Sequence, residues 1–193
     1  MLLLSFDEDL DTVRSVLSAI ALQNGLEPAD AEADGADILS LALGMLGPHV
    51  ALTPGEDFVL VEGLASLDVG DARALGVAVS AACGNSVVAI EPTANGIRVA
   101  TFDDGEEEAS VDVDLDGSGT TRSPALAEIA PTDEAGEELT RGVAAMNAIE
   151  LAHQVLRLWG AGEDQRTGAP TMMTFHDPDA DDDDDEGEGD HGA

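Results

Sequence analysis

The sequence predicts an α+β fold: one domain, residues 1–162, whose antiparallel sheet packs against about four helices. Three observations predict it. Apolar residues recur at spacings of three and four in four segments, the mark of amphipathic helices. Short runs rich in valine and isoleucine stand between them, punctuated by Gly, Pro, Asn and Asp. Three such runs follow one another between about residues 86 and 115, joined by turns too short for a crossover, so they pair as an antiparallel meander.

The elements follow in chain order. Leu2 to Phe6 reads as a strand, and Asp7 or Asp9 then caps a helix that ends at Asn24-Gly25. Leu10, Val13, Val16, Leu17, Ile20 and Ala21 form its apolar stripe. Pro28 and Asp30 open a second helix through Leu46, stopped by Gly47-Pro48. Strands near 49–53 and 57–62 flank the turn Pro54-Gly55-Glu56-Asp57. A third helix runs from Asp68 to about Cys83, with Leu75, Val79 and Ala82 inward. The meander comes next, with turns at Asn95-Gly96 and Asp103-Asp104-Gly105.

Its third strand ends in Ser110-Val-Asp-Val-Asp-Leu-Asp-Gly117, the most metal-like string in the chain. A calcium loop begins Asp-x-Asp-x-Asp-Gly but also needs a bidentate glutamate at its twelfth position, where Ser123 stands. Val111, Val113 and Leu115 alternate with Asp112, Asp114 and Asp116, which is the period of a half-buried strand. The strand reading is therefore preferred. Ser118 to Ser123 is a polar loop, and Leu126 to Ile129 a single helical turn.

Thr132 and Asp133 then cap a long C-terminal helix, about 133–160. Leu139, Val143, Met146, Ile149, Ala152, Leu156 and Trp159 make its expected buried stripe, and Gly160-Ala-Gly162 ends it. Residues 163–193 are expected to be an acidic, low-complexity and mostly disordered tail. Thr171 to Phe175 interrupts that tail with an apolar stretch able to dock as an edge strand.

Charge bounds the function. The chain has 41 acids against seven basic residues, all arginine. Twelve acids and one arginine lie in 163–193, so 29 acids and six arginines remain on the body. Three explanations compete: adaptation to molar salt, where screening removes repulsion and an acidic coat keeps the protein soluble; an acidic decoy for a basic groove; and an ordinary acidic protein of a GC-rich bacterium. Direct nucleic-acid binding and anionic membrane surfaces are disfavoured, because both need many cationic side chains and this chain has only seven. No apolar run approaches the ~20 residues of a membrane span. One cysteine, Cys83, excludes an internal disulfide, and the expected location is the cytoplasm.

No catalytic motif stands out. His49, His153, His176 and His191 fall in no metal-ligand spacing, and a lysine-dependent phosphate loop is impossible. Glu62 and Glu91 sit at strand ends, where catalytic carboxylates sometimes occur. The expectation is no catalytic, metal or cofactor-binding residue, and no cofactor. The protein is read as a non-enzymatic acidic binding or regulatory protein that meets an unknown protein partner, adapted to high salt, with a homo-oligomer open. A carboxylate-based, divalent-metal-dependent hydrolase and an acidic nucleic-acid-mimicking inhibitor or immunity-type protein are the alternatives.

Overall fold

The computed structural model describes residues 2–6, 10–28, 48–64, 72–115, 119–145 and 147–178. Their order is β1 (Leu2–Phe6), α1 (Leu10–Gln23), β2 (Glu27–Pro28), β3 (His49–Pro54), β4 (Phe58–Glu62), α2 (Ala72–Cys83), β5 (Val87–Pro92), β6 (Gly96–Asp103) and β7 (Glu106–Asp114). Then come β8 (Thr120–Thr121), α3 (Pro124–Glu128), α4 (Asp133–Arg141), β9 (Val143–Ala144), α5 (Ala148–Leu158), a 3-10 turn (Glu163–Gln165) and β10 (Thr171–His176). The helix expected over 28–46 and the acidic run beyond 178 lie outside the described residues.

Eight strands form one sheet in the order β2-β10-β3-β4-β1-β5-β6-β7, and every pairing is antiparallel. The fold is thus mixed α+β, with helices on both faces of the sheet. On the first face α1 and α2 bring Val13, Leu17, Leu75 and Val79 onto Leu3, Val61, Ala89 and Phe102. On the second face α3, α4 and α5 bring Leu126, Leu139, Leu151 and Val155 onto Leu60, Ile90, Val99 and Val113. Double coverage explains why Phe58-Val-Leu-Val61 and Val87-Val-Ala-Ile90 are continuously apolar. Successive side chains leave opposite faces of a strand, and here both faces are dry.

The approach of α2 to the sheet depends on Gly76. A Cβ there would lie 2.3 Å from the Phe102 ring, so only glycine lets the aromatic side chain fit under the helix. Ser80 ties the same helix to the meander: its hydroxyl donates to the Asn85 carbonyl at 2.8 Å and accepts from the Gly105 amide at 3.1 Å. The turn at Asp104-Gly105 has positive φ at both residues, 46° and 81°, the requirement of a type I′ hairpin.

The string at 110–117 is strand from Ser110 to Asp114, and Leu115 follows just beyond the strand's end. Val113 is buried and Val111 and Leu115 half-buried, while Asp112 and Asp114 are exposed.

Two expectations about the C-terminal part are corrected. The long helix over 133–160 is two helices, α4 and α5, separated by a strand residue pair. Gly142, at φ 111°, leaves helical geometry, and Val143–Ala144 then pairs with Thr120–Thr121. Asn147 starts the next helix, its Oδ1 accepting from the Glu150 amide at 3.0 Å. The break changes the helical phase. Leu151, Ala152, Val155, Leu156 and Trp159 are buried, but Ile149 is 61% exposed rather than inside. Met146 lies outside the described residues. The boundary expected after residue 162 also falls within folded structure. Glu163–Gln165 form the 3-10 turn, and β10 pairs with β3 from Thr171↔Leu52 to Thr174↔His49.

Candidate functional site

Charge is kept out of both cores. The buried polar side chains among the described residues are all serine or threonine, namely Ser5, Thr53, Ser80, Thr121, Ser123 and Thr174. The described acids stand on the surface of helices, turns and sheet margins, where hydration offsets their repulsion. Leu22 and Ile149 are the large apolar side chains exposed among the described residues.

Among the described residues, the acids gather most closely on β7. This is a nine-residue strand at the end of the sheet, and its outer backbone groups have no strand partner among the described residues. Glu106, Glu108, Asp112 and Asp114 are exposed along it. Near its start the register shifts at Thr101/Phe102, so Ala109 lies opposite Thr101 and Glu107 opposite Phe102. The extra residue, Glu108, is a β-bulge that turns Glu107 toward α2, where it meets Arg73. Toward its end Arg98 bridges two strands. Its Nε donates to Asp112 Oδ1 at 2.8 Å, and its Nη1 lies 3.6 Å from Glu91 Oε2. The three residues form one cross-strand row, because Arg98 faces Glu91 on β5 and Asp112 on β7.

Glu62 and Glu91 are not brought together. Leu2 is directly opposite both Glu62 and Ile90, so Glu62 shares a face with Ile90. Glu91, one residue on, leaves the other face. Of the histidines, His49 begins β3 half-buried, and His176 Nε2 lies 3.9 Å from Glu27 Oε2. His153 is exposed on α5, and His191 lies outside the described residues. Among the described residues no three of His, Cys, Asp and Glu stand close enough to hold a metal ion. None of their helices is long and apolar enough to cross a membrane.

Two open clefts lie on the second face's helices. One, of about 700 Å³, runs between α3 and α4 past Glu128, Asp133, Glu137, Thr140 and Arg141. The other, of about 500 Å³, lies between α5 and the 3-10 turn, lined by His153, Gln154, Arg157, Glu163, Asp164 and Arg166. It gathers two of the chain's seven arginines. Nothing in the sequence announces it. Arg166 is placed by an isolated bridge to Gly55, more than a hundred residues earlier, and the Thr167 amide donates to the Pro54 carbonyl at 2.9 Å.

Comparison of the chain with protein-family models, with curated proteins and with solved structures returns no match. The class is therefore defined by architecture: an acidic α+β protein built on an eight-stranded antiparallel sheet with helices on both sides.

Proposed function

We propose that this is a non-enzymatic binding or regulatory protein that acts through contacts with another protein in a salt-rich cytoplasm. The observation that carries the reading is the β7 edge. A strand end of nine residues offers backbone donors and acceptors to a further strand. Its exposed Glu106, Glu108, Asp112 and Asp114 oppose pairing with a second copy of the same edge, since like charges face each other across such a contact. The same charges favour an extended segment bearing arginine or lysine. The scarcity of exposed large apolar side chains among the described residues supports recognition by backbone pairing and charge.

The dispersed acid of the remaining surface supports adaptation to salt. At about 1 M ions the Debye length is about 3 Å, so repulsion across the surface fades while hydrogen-bonded contacts persist. The test has two parts. The unfolding midpoint should rise steeply from about 0.05 to 3 M potassium chloride, and a flat profile rejects the salt adaptation. Proteins captured from the source cell at its own ionic strength should include one lost on the double substitution Glu108→Lys and Asp114→Lys. Its loss on Glu134→Lys and Glu137→Lys instead moves the contact to α4 and rejects the β7 edge.

A further inference from the structure

Arg166 is set apart by its burial: Arg122 and Arg141 also lack an acidic partner among the described residues, but both are exposed to water, whereas Arg166 is half-buried. Arg73 meets Glu107, Arg98 meets Glu91 and Asp112, and Arg157 lies 3.8 Å from Glu138. Arg166 makes no ion pair within 4.0 Å among the described residues, although Glu163 and Asp164 line the same cleft. The side chain is half-buried, and its Nε is sealed from solvent without a hydrogen-bond partner. A guanidinium nitrogen removed from water and left unpaired is costly, so its retention calls for a compensating charge.

We propose that the cleft between α5 and the Glu163–Gln165 turn binds a small oxyanion group, a phosphate or a carboxylate, held by Arg166 and Arg157 with His153 at the rim. This site is independent of the β7 edge. The backbone of the turn that forms one wall is held before any ligand arrives: the Gly55–Arg166 bridge fixes its end, and the Gly162 amide at its start donates to Gln165 Oε1 at 2.9 Å. A held receptor loses little freedom on binding. Arg157 is available to turn inward, because its pair with Glu138 is long and both side chains are well exposed, which makes the pair weak. Planar guanidinium forks match two oxygens of a phosphate or carboxylate at once, and a lysine would not. A volume of about 500 Å³ admits such a group together with the small molecule that carries it.

Glu163 and Asp164 oppose an anion at long range. Their effect shrinks as salt screens it, whereas contact with the guanidinium groups survives, so the site is suited to a high-salt medium. Neither acid forms an ion pair with Arg166 within 4.0 Å, so direct contact does not neutralise the guanidinium.

The experiment titrates the full chain with sodium phosphate and, separately, with sodium acetate. Potassium chloride holds the total ionic strength at about 2 M, so that general salt stabilisation is constant. The amides of Gly162 and Gln165 and the His153 ring are followed by NMR. Saturable shifts confined to these groups are expected in at least one arm, and the arm that saturates at lower concentration identifies the oxyanion. Arg166→Gln should weaken that binding about 10-fold or more, the loss typical of a charged hydrogen-bond partner. Arg166→Lys, which keeps the charge without the fork, should fall between, and Arg73→Gln should leave binding unchanged. A second readout separates binding from a structural role. Without phosphate or acetate, Arg166→Gln should unfold at a higher temperature than the parent, because it removes the uncompensated charge. Shifts that stay linear in both arms, or equal affinity in Arg166→Lys and the parent, overturn the proposal. So does a lower midpoint in Arg166→Gln, which would make the arginine a structural support.

Discussion

Strands β4 and β7 belong to one sheet, yet they are built on opposite rules. From Phe58 to Val61 every side chain of β4 is buried, because helices cover both of its faces. On β7 only Val113 is buried, and acids take most of the exposed positions. An interior strand is specified by burial alone. A marginal strand must also control what pairs with its open edge, and here charge, a bulge and the Glu91–Arg98–Asp112 row share that task. The middle of the sheet is therefore the more deeply packed part, and its margin is the more highly charged.

The comparison can be broken most directly by truncation. Leu60→Ala in β4 removes a side chain with no exposed surface and should cost about 2–5 kcal/mol in denaturant unfolding. Val111→Ala in β7, where the side chain is half-buried, should cost less than about 1.5 kcal/mol. Equal losses would show that the margin is as tightly packed as the centre. A similar contrast exists within one helix. Leu151→Ala should cost about 2–5 kcal/mol, whereas Ile149→Ala, two positions earlier, should stay within about 0.5 kcal/mol. A large loss at Ile149 would mean that another surface covers it. A small effect is also expected at the margin itself. Arg98→Ala breaks an exposed ion-pair row and should cost no more than about 1 kcal/mol in dilute buffer, and still less in molar salt. A loss that persists in high salt would assign Arg98 a packing role.

The readable parts of the fold are those whose causes are local. Continuous apolar runs mark strands covered twice, as at Phe58–Val61 and Val87–Ile90, and the alternation of valine and aspartate marks the edge strand β7. Asp104-Gly105 forms the turn that its residue types require. The break between α4 and α5 was also written in the chain, at Gly142 and at the capping Asn147, but the apolar spacing of three and four runs across it and masks it. Periodicity alone therefore put Ile149 inside. β10 was less legible, because a six-residue strand rich in threonine and methionine has meaning only beside β3. The Arg157–Arg166 cleft had no sequence signal at all. It arises from a bridge between Gly55 and Arg166, and such a juxtaposition has no local pattern.

The place of β10 has a consequence for synthesis. Its partner β3 ends at Pro54, and 117 positions separate that residue from Thr171. At ~5–20 residues per second the ribosome takes roughly 6–23 s to cover that distance. Throughout that interval the growing chain carries a β3 whose proper neighbour does not yet exist, with Val50 and Leu52 on it. Neighbouring nascent chains on one messenger then present the same unfinished edge to each other. The arrival of β10 completes two pairings at once, because it is also the strand on which β2 pairs.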